Sequence, residues 1–588
     1  MPRKQRVVDH IVERLASVGV DHIFGVDGAN IEDLYDAAHF RTDITAVLAK
    51  HEFSAAAMAD GYCRSGAGLG SGLGVVAATS GGGALNLVAA LGESLTSRVP
   101  VLALVGQAPT TMDGRGSFQD TSGENGSLNA QAVFSAVSVS CERVLNPADA
   151  APALSRAIAA ARTGGPAVLL LPKDIQQGYL DCERNSSRNG FAAVDLRPIG
   201  NPHPIAGMLR DANGPVTIIV GEQVARDNAR AELEALRAVL RARVATVPDA
   251  KDVAGTPGLG SSSALGVTGV MGHPGVVEAV ADSAVCLVVG TRLSVTARTG
   301  LDDALAAVRT VSIGSAPPYV PCTHVHTDDL RGSLRMLTQA LSGPGRPAKV
   351  RVPDMVRRTE LSPPACAGPG VRYRDAMAVL DGCLPDGADI VVDAGNTGAA
   401  AIHYLPARRD GRFAVALGMG GMGYSFGAGI GMAFGRANTG RPGGRTVVIA
   451  GDGAFFMHGM EVHTAVHYRL PVTFVVFNNN AHAMCVTREQ LFYDNLYSYN
   501  RFRPSRLGAG LAAMFPGLAS VDVGELDGLA AAMRAALAID GPSVVCVECA
   551  TDEMPPFAPF LTKLSANNSA PQGISTAKEN RTDVATRA

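Results

Sequence analysis

Short runs of β-branched and aliphatic residues alternate with Ala- and Leu-rich stretches of helical period along the whole chain. That alternation predicts parallel sheets covered by helices. An amphipathic helix is expected from about Val7 to Val18, followed by a short strand over Asp21–Phe24. Further strands are expected at Gly74–Thr79, Val99–Gly106 and Ala167–Leu171, then at Val216–Val220, Arg243–Val247, Ala284–Val289 and Thr310–Ile313. The last group is Asp389–Asp393, Arg445–Ala450, Val472–Phe477 and Ser543–Glu548. Nearly all of these runs are apolar throughout rather than alternating, as strands buried on both faces are.

Two breaks in the pattern divide the chain. Cys182–Pro204 is polar and turn-rich, and Gly343–Gly370 is rich in Pro and Gly. The expected architecture is three doubly wound α/β domains over residues 1–183, 200–345 and 366–560, each of ordinary domain size. From Lys563 to residue 588 the apolar period stops, and a mobile tail is expected. Glycine-rich tracts at Gly66–Gly74 and about 255–275 read as loops.

Composition narrows the function classes. Lys and Arg number 51 against 54 Asp and Glu, a balance that argues against binding nucleic acid through a basic surface. No apolar run reaches about 18 residues, so no membrane span is expected. The basic N-terminus leads into an amphipathic segment, not a signal-peptide core. Ten scattered cysteines in 588 residues do not make a disulfide framework, and a reducing cytoplasm is the simpler setting.

Chemistry concentrates at two strand ends. Arg445–Ala450 runs into Gly451-Asp452-Gly453, and Val472–Phe477 runs into Asn478-Asn479-Asn480. Open α/β sheets bind ligands at the carboxyl ends of their strands. Carboxylate and amide oxygens suit Mg²⁺, and glycines let backbone N–H groups approach phosphates. Either loop alone reads first as a turn. The Gly-x-Gly-x-x-Gly run Gly418–Gly423 lacks the acidic residue that a dinucleotide site needs about 20 positions on. Cys546 and Cys549 lie in a strand on opposite faces and read as buried structural thiols. Glu461, His463 and His467 read as a solvated helix face. His51 and His482 remain open between local hydrogen bonding and catalysis.

The pair of loops, with Asp452 and Asn479 separated by a helix and a strand, resembles the Gly-Asp-Gly…Asn-Asn signature of thiamine-diphosphate enzymes. The neighbourhood extends the resemblance to the acetolactate synthases. Asn478–Tyr493 is similar to their Asn-Asn…Phe-Tyr stretch. His51-Glu52-Phe53 with Asp60-Gly61-Tyr62 is similar to their glutamate motif. Thr79–Asn86, Gly106–Pro109, Ser117–Asp120 and Leu171–Asp174 follow in family order.

The resemblance implies thiamine diphosphate held by Gly28, Gly395, Asn396, Thr397, Gly420, Met422, Gly451, Gly453, Ala454 and Met484. It implies Mg²⁺ on Asp452, Asn479 and the carbonyl of Ala481. Glu52 would be the carboxyl beside the aminopyrimidine ring, Met422 the wedge that keeps the cofactor bent, and Gln119 a hydrogen-bond donor to the substrate. Phe118 and Arg488 would line the substrate pocket. The implied reaction decarboxylates a pyruvate-like 2-oxo acid and adds the acyl unit to a second carbonyl. A non-oxidative decarboxylase on the same scaffold and a non-catalytic homologue are the alternatives. Active sites between chains imply a homodimer or homotetramer.

Three departures matter. Arg488 stands where the family carries Trp, either facing an anionic acceptor or pointing to solvent. Gly25-Val26-Asp27-Gly28 has Asp for Pro. The flavin segment aligns with Arg292–Arg298 and carries an extra residue, while Val311–Gly314 has lost both carboxylates of its counterpart. FAD is therefore expected to be absent.

Overall fold

In a computed structural model, residues 3–65, 72–182, 198–254, 264–342, 358–437 and 444–569 are described. The first domain contains β1 (Arg3–Arg6), β2 (His22–Val26), β3 (Thr45–Leu48), β4 (Gly74–Ala78), β5 (Val101–Gln107), β6 (Ser140–Arg143), β7 (Pro166–Pro172) and β8 (Tyr179–Cys182). The central domain contains β9 (Val216–Val220), β10 (Arg243–Thr246), β11 (Ala264–Val267), β12 (Val285–Val289), β13 (Arg309–Gly314) and β14 (Thr323–His326). The last contains β15 (Asp389–Val392), β16 (Phe413–Val415), β17 (Thr446–Gly451), β18 (Val472–Asn478), β19 (Ala519–Val523) and β20 (Ser543–Glu548).

Each domain is built on a six-stranded parallel sheet. The outer sheets run β3-β2-β4-β5-β7-β6 and β16-β15-β17-β18-β20-β19. Renumbered within each sheet, both orders are 2-1-3-4-6-5, so the two domains share one topology. The central sheet, β11-β10-β9-β12-β13-β14, has the order 3-2-1-4-5-6 of a dinucleotide-binding sheet. A separate antiparallel ribbon joins β1 to β8, pairing Arg3 with Cys182 and Arg6 with Tyr179.

The outer domains, far apart in sequence, share one hydrophobic core. Phe24, Val76 and Val105 of the first sheet lie in the same cluster as Val391, Val448 and Phe474 of the last. The helices Glu52–Arg64 and Tyr424–Ala437 form its centre. Their backbones nearly touch. A Cβ at Gly431 would stand 1.9 Å from the Met58 carbonyl oxygen, and one at Gly427 2.5 Å from that of Ser54. Gly427, Gly431 and Gly435 recur every four residues, so one helix face is bare of side chains where the other crosses.

The expected strands are all present, within a few residues of their predicted ends. The tract near 255–275, read as loop, contains edge strand β11; residues 255–263 lie outside the described residues. Gly74 opens β4, and residues 66–71 of that glycine tract are likewise outside. The tail expected from Lys563 begins instead inside a helix, Ala558–Ser569. Phe560 of this helix is buried, and Asn567 Nδ2 donates to the Leu491 carbonyl at 3.1 Å, contacts a polar sequence does not announce. Residues 570–588 lie outside the described residues.

Candidate active site

Ligands of open parallel sheets bind where neighbouring strands lead off in opposite directions. In the outer domains those crevices lie between β2 and β4 and between β15 and β17. The two sets of predicted site residues occupy them.

In the first crevice, Glu52 opens the helix Glu52–Arg64. His51 is its N-cap, and Nδ1 of His51 accepts the Phe53 N–H at 3.1 Å, so that imidazole is occupied by a local bond. Glu52 is buried, and its Oε2 accepts Asn86 Nδ2 at 2.9 Å. Its Oε1 lies 3.0 Å from where a Cβ on Gly83 would sit, so glycine there keeps that oxygen approachable. A Cβ on Gly28 would stand 2.9 Å from the Thr79 side chain. Gln119 has a left-handed backbone, φ 61°, and its Oε1 accepts the Ser80 hydroxyl at 3.1 Å. Its Nε2 has no partner among the described residues. Phe118 beside it is 80% exposed.

In the second crevice, Gly395 at φ 100° starts the helix Asn396–Tyr404, which presents free N–H groups to an anion. Asn396 Oδ1 is buried without a partner. At the far end of that helix, Lys251 of the central domain donates to the carbonyls of Ala401 at 3.1 Å, Ile402 and Leu405. An ammonium there offsets the negative end of the helix dipole. Asp393 accepts the N–H groups of Gly423 and Ser425, each at 2.9 Å, and so shapes the loop carrying Gly420 and Met422. The Met422 methyl lies 3.3 Å from the Cβ position of Gly453. Ala454 is buried, and Met484 packs at the edge of the third domain's core.

Asp452 and Asn479 converge. Asp452 Oδ2 and Asn479 Oδ1 both accept the Ala481 N–H, at 3.2 and 3.0 Å. The Asp452 carboxylate is buried with only neutral donors around it, and burial pushes its pKa up to about 7. A hard divalent cation would supply the missing positive charge, and two convergent oxygens suit it. Asn479 Nδ2 donates to the Tyr373 hydroxyl at 3.2 Å. Among the described residues no group of three His, Cys, Asp or Glu side chains could hold a metal, so a cation here would rest on one carboxylate and neutral oxygens. Near this crevice, Nδ1 of His482 is buried and unpartnered, and Arg488 is exposed without a partner among the described residues.

The structure brings the residues of each set together. It leaves Glu52 without a hydrogen bond to the Asp452 set within one chain. What joins the crevices are residues the sequence reading missed. Glu93, a buried acid of the first domain, accepts the N–H of Gly418 at 3.2 Å and of Met419 at 2.6 Å. Glu461 is not on a solvated face as expected: it is 1% exposed, and its Oε1 accepts the N–H groups of Lys50 and His51. Buried acids amid polar periodicity look like surface acids, and nothing in their neighbours marked them. Asp393 could have been found, since it ends a predicted strand. Cys546 and Cys549 are buried in different cores, on opposite faces of the last sheet, and burial raises both thiol pKa values.

Three family models match in order. They are the thiamine pyrophosphate enzyme N-terminal TPP binding domain over residues 5–127, the central domain over 203–341 and the C-terminal TPP binding domain over 393–547. The chain belongs to the thiamine-pyrophosphate-dependent enzymes, in their acetolactate synthase-like branch. It is 28% identical over 509 residues to the "Probable acetolactate synthase large subunit" of Methanocaldococcus jannaschii, covering 82% of each chain. It is 26% identical over 583 residues to the acetolactate synthase isozyme 2 large subunit of Escherichia coli, covering 95% of this chain and 98% of that one. The fold also matches the crystal structure of benzoylformate decarboxylase from Polynucleobacter necessarius, with a TM-score of 0.77 at 19% identity over 94% of this chain and all of that one. The protein is thus a thiamine-diphosphate enzyme of transferase or lyase type.

Proposed function

We propose that the protein is a carboligase that decarboxylates a pyruvate-like 2-oxo acid and joins the acyl unit to a second carbonyl compound. The observation that carries this reading is the pairing of a buried Glu52, one oxygen left approachable, with the convergent oxygens of Asp452 and Asn479. Both sets stand at equivalent crevices of two topologically identical sheets. Thiamine diphosphate, when bound, supplies a carbanion at its thiazolium ring and an electron sink for the departing carboxyl group. Asp452, Asn479 and the Ala481 carbonyl would hold Mg²⁺ on the diphosphate, with the N–H groups at Gly395–Thr397 and the glycines Gly451 and Gly453 beside it.

Glu52 would hold a proton at Oε1 against a ring nitrogen of the cofactor, a task suited to a carboxyl taken out of water. Met422, seated against Gly453, would keep the cofactor bent over the crevice. Gln119 Nε2 is free to donate to the substrate, with Phe118 shaping that side. Because Glu52 and Asp452 share no hydrogen bond within one chain, we assign the working site to two chains of a homodimer or homotetramer. Exposed Phe118, Met419, Phe456 and Met457 around the crevices support that assignment. We take the domain bounds as 1–183, 200–345 and 366–560, and the compartment as the cytoplasm. Among the described residues no helix is long and apolar enough to cross a membrane.

We further propose that the enzyme carries no FAD. At the crevice of the central sheet, the protein's own Gln223 lies against Gly290 and Gly314 at the strand ends. Its Oε1 accepts the Ser315 N–H at 2.8 Å and its Nε2 donates to the Thr327 carbonyl at 3.1 Å. Flavin released on denaturing purified protein would refute this.

The deciding assay incubates the enzyme with Mg²⁺, thiamine diphosphate and a panel of 2-oxo acids. An acyloin product is expected. Aldehyde alone would make the protein a simple decarboxylase, and no product with any donor would remove the reading. Glu52→Gln is expected to abolish turnover while cofactor binding persists.

A further inference from the structure

A cavity of about 840 Å³ lies between the segment that follows the central domain, the start of the helix Tyr373–Cys383 and the turn at Glu553. It is separate from the crevice just described: Gly395, Asp452, Gly453 and Asn479 do not line it. Its size is that of a small-molecule site.

Its polar lining is unfinished. Glu553 is 8% exposed. Its Oε1 accepts the Tyr373 N–H at 2.9 Å, while Oε2 is buried without a partner. Arg372 gives Nη2 to the Gly368 carbonyl and leaves Nη1 buried and unpartnered. Arg358 has no hydrogen bond or ion pair among the described residues. Arg374, by contrast, is paired with Glu360 at 2.8 Å. No ion pair within 4.0 Å joins Arg372 to Glu553, so the two do not satisfy each other.

Each buried polar atom left unpaired costs about 1–3 kcal/mol. Two guanidinium groups with spare donors and one carboxylate with a spare acceptor therefore call for a ligand of mixed character. A carboxylate matches the planar fork of arginine, and a donor close to it matches Glu553. We propose that this cavity binds a small carboxylic acid with a hydroxyl or ammonium group on the adjacent carbon. Its carboxylate lies on Arg358 and Arg372, and its donor points to Glu553 Oε2. Burial brings the Glu553 carboxyl up to about 7, although the Arg372 guanidinium nearby pulls the other way.

The occupant also has a route to the reaction site. Tyr373 gives its N–H to Glu553 and accepts Asn479 Nδ2 at its hydroxyl. Glu553 is thereby joined through one residue to Asn479, a proposed Mg²⁺ ligand.

Calorimetric titration of the full chain with lactate, alanine and propionate tests this. At least one of the first two is expected to bind saturably, and propionate about tenfold more weakly, the worth of one charge-assisted hydrogen bond. Glu553→Gln keeps an oxygen for the Tyr373 N–H and is expected to remove the preference over propionate. Arg358→Ala, on a side chain that makes no bond, is expected to weaken all three. Lactate or alanine prevailing assigns the donor as hydroxyl or ammonium. Equal binding of the three acids, wild-type affinity in both variants, or no saturable binding overturns the proposal. The Glu52→Gln variant is expected to bind as the wild type does, which separates this site from the fate of the proposed reaction.

Discussion

The carboxylate of Glu461 accepts the backbone N–H of His51 at 3.1 Å and that of Lys50 at 2.7 Å, across 410 and 411 residues of sequence. A side chain of the last domain thereby fixes the start of the helix that carries Glu52 in the first. An acceptor so placed favours the helix N-terminus. Glu461→Gln should lower kcat about tenfold while cofactor binding persists. An unchanged rate would show that Glu461 serves packing alone.

The helix crossing predicts opposite effects of one substitution. Gly431→Ala drives a methyl group into the Met58 carbonyl and should destabilise the protein by about 1–3 kcal/mol in chemical unfolding. Gly382→Ala, on an exposed helix position with nothing within 4 Å of the added Cβ, should stabilise it by roughly 0.5 kcal/mol. Equal effects at the two positions would contradict the close approach.

Arg412 ties the three domains at one point. It donates to Asp252 at 2.7 Å and Glu222 at 2.9 Å in the central domain, and to the Arg64 carbonyl at 2.6 Å in the first. Arg412→Met would leave Glu222 without its ion pair and Asp252 with Arg230 alone, and should cost about 3 kcal/mol. The central domain should then unfold at lower denaturant than in the wild type; unfolding unshifted from the wild type's would refute the role.

The pH dependence has a definite sign. Burial raises the carboxyl pKa of Asp452 and of Glu553 to about 7, above the unfolded values of 3.8 and 4.5. The native state then binds more protons than the unfolded one, so stability falls as pH rises through that range. Below about 6.5 the buried His273, His403 and His458, whose pKa values are pushed down to about 2, 4 and 4, act in the opposite sense. The thermal midpoint of ligand-free protein should therefore drop between pH 6.5 and 8. Saturating Mg²⁺ and thiamine diphosphate should reduce the drop by holding Asp452 ionised, and an equal drop with and without them would contradict the assigned cation site.

Arg488 is exposed on the helix Ala483–Phe492, free to meet an anionic acceptor. Arg488→Trp should raise acetolactate formation from pyruvate at the expense of anionic acceptors. Unchanged acceptor preference would leave Arg488 as a solvated side chain.

The twelve strands legible in the sequence are the four inner strands of each sheet. Of the eight that were not, β3, β6, β11, β14, β16 and β19 are the six edges of these sheets, and β1 and β8 form the separate ribbon. Inner strands are buried on both faces and read as unbroken apolar runs. Edges are short and most are half wet, so Ser140–Arg143 and Thr323–His326 look like loop, while Phe413–Val415 is buried but only three residues long. The site divides likewise. Asp452 and Asn479 were legible because glycine and strand-end patterns surround them, and Glu52 only through the resemblance of its motif. Glu93, Glu461, Tyr373 and Glu553 act across long sequence separations, where local pattern carries no trace of the partner.

The ribbon of β1 and β8 brings the chain's entry into the first domain beside its exit. Arg3 lies opposite Cys182, so tension applied to the chain at those two residues would load the four-residue ribbon one rung at a time, from its open end. The ribbon is thus the mechanical fuse of the domain: it would peel at low force before the parallel sheet behind it felt any load. For the same reason both leads of the domain leave at one corner of its sheet, away from the core it shares with the last domain.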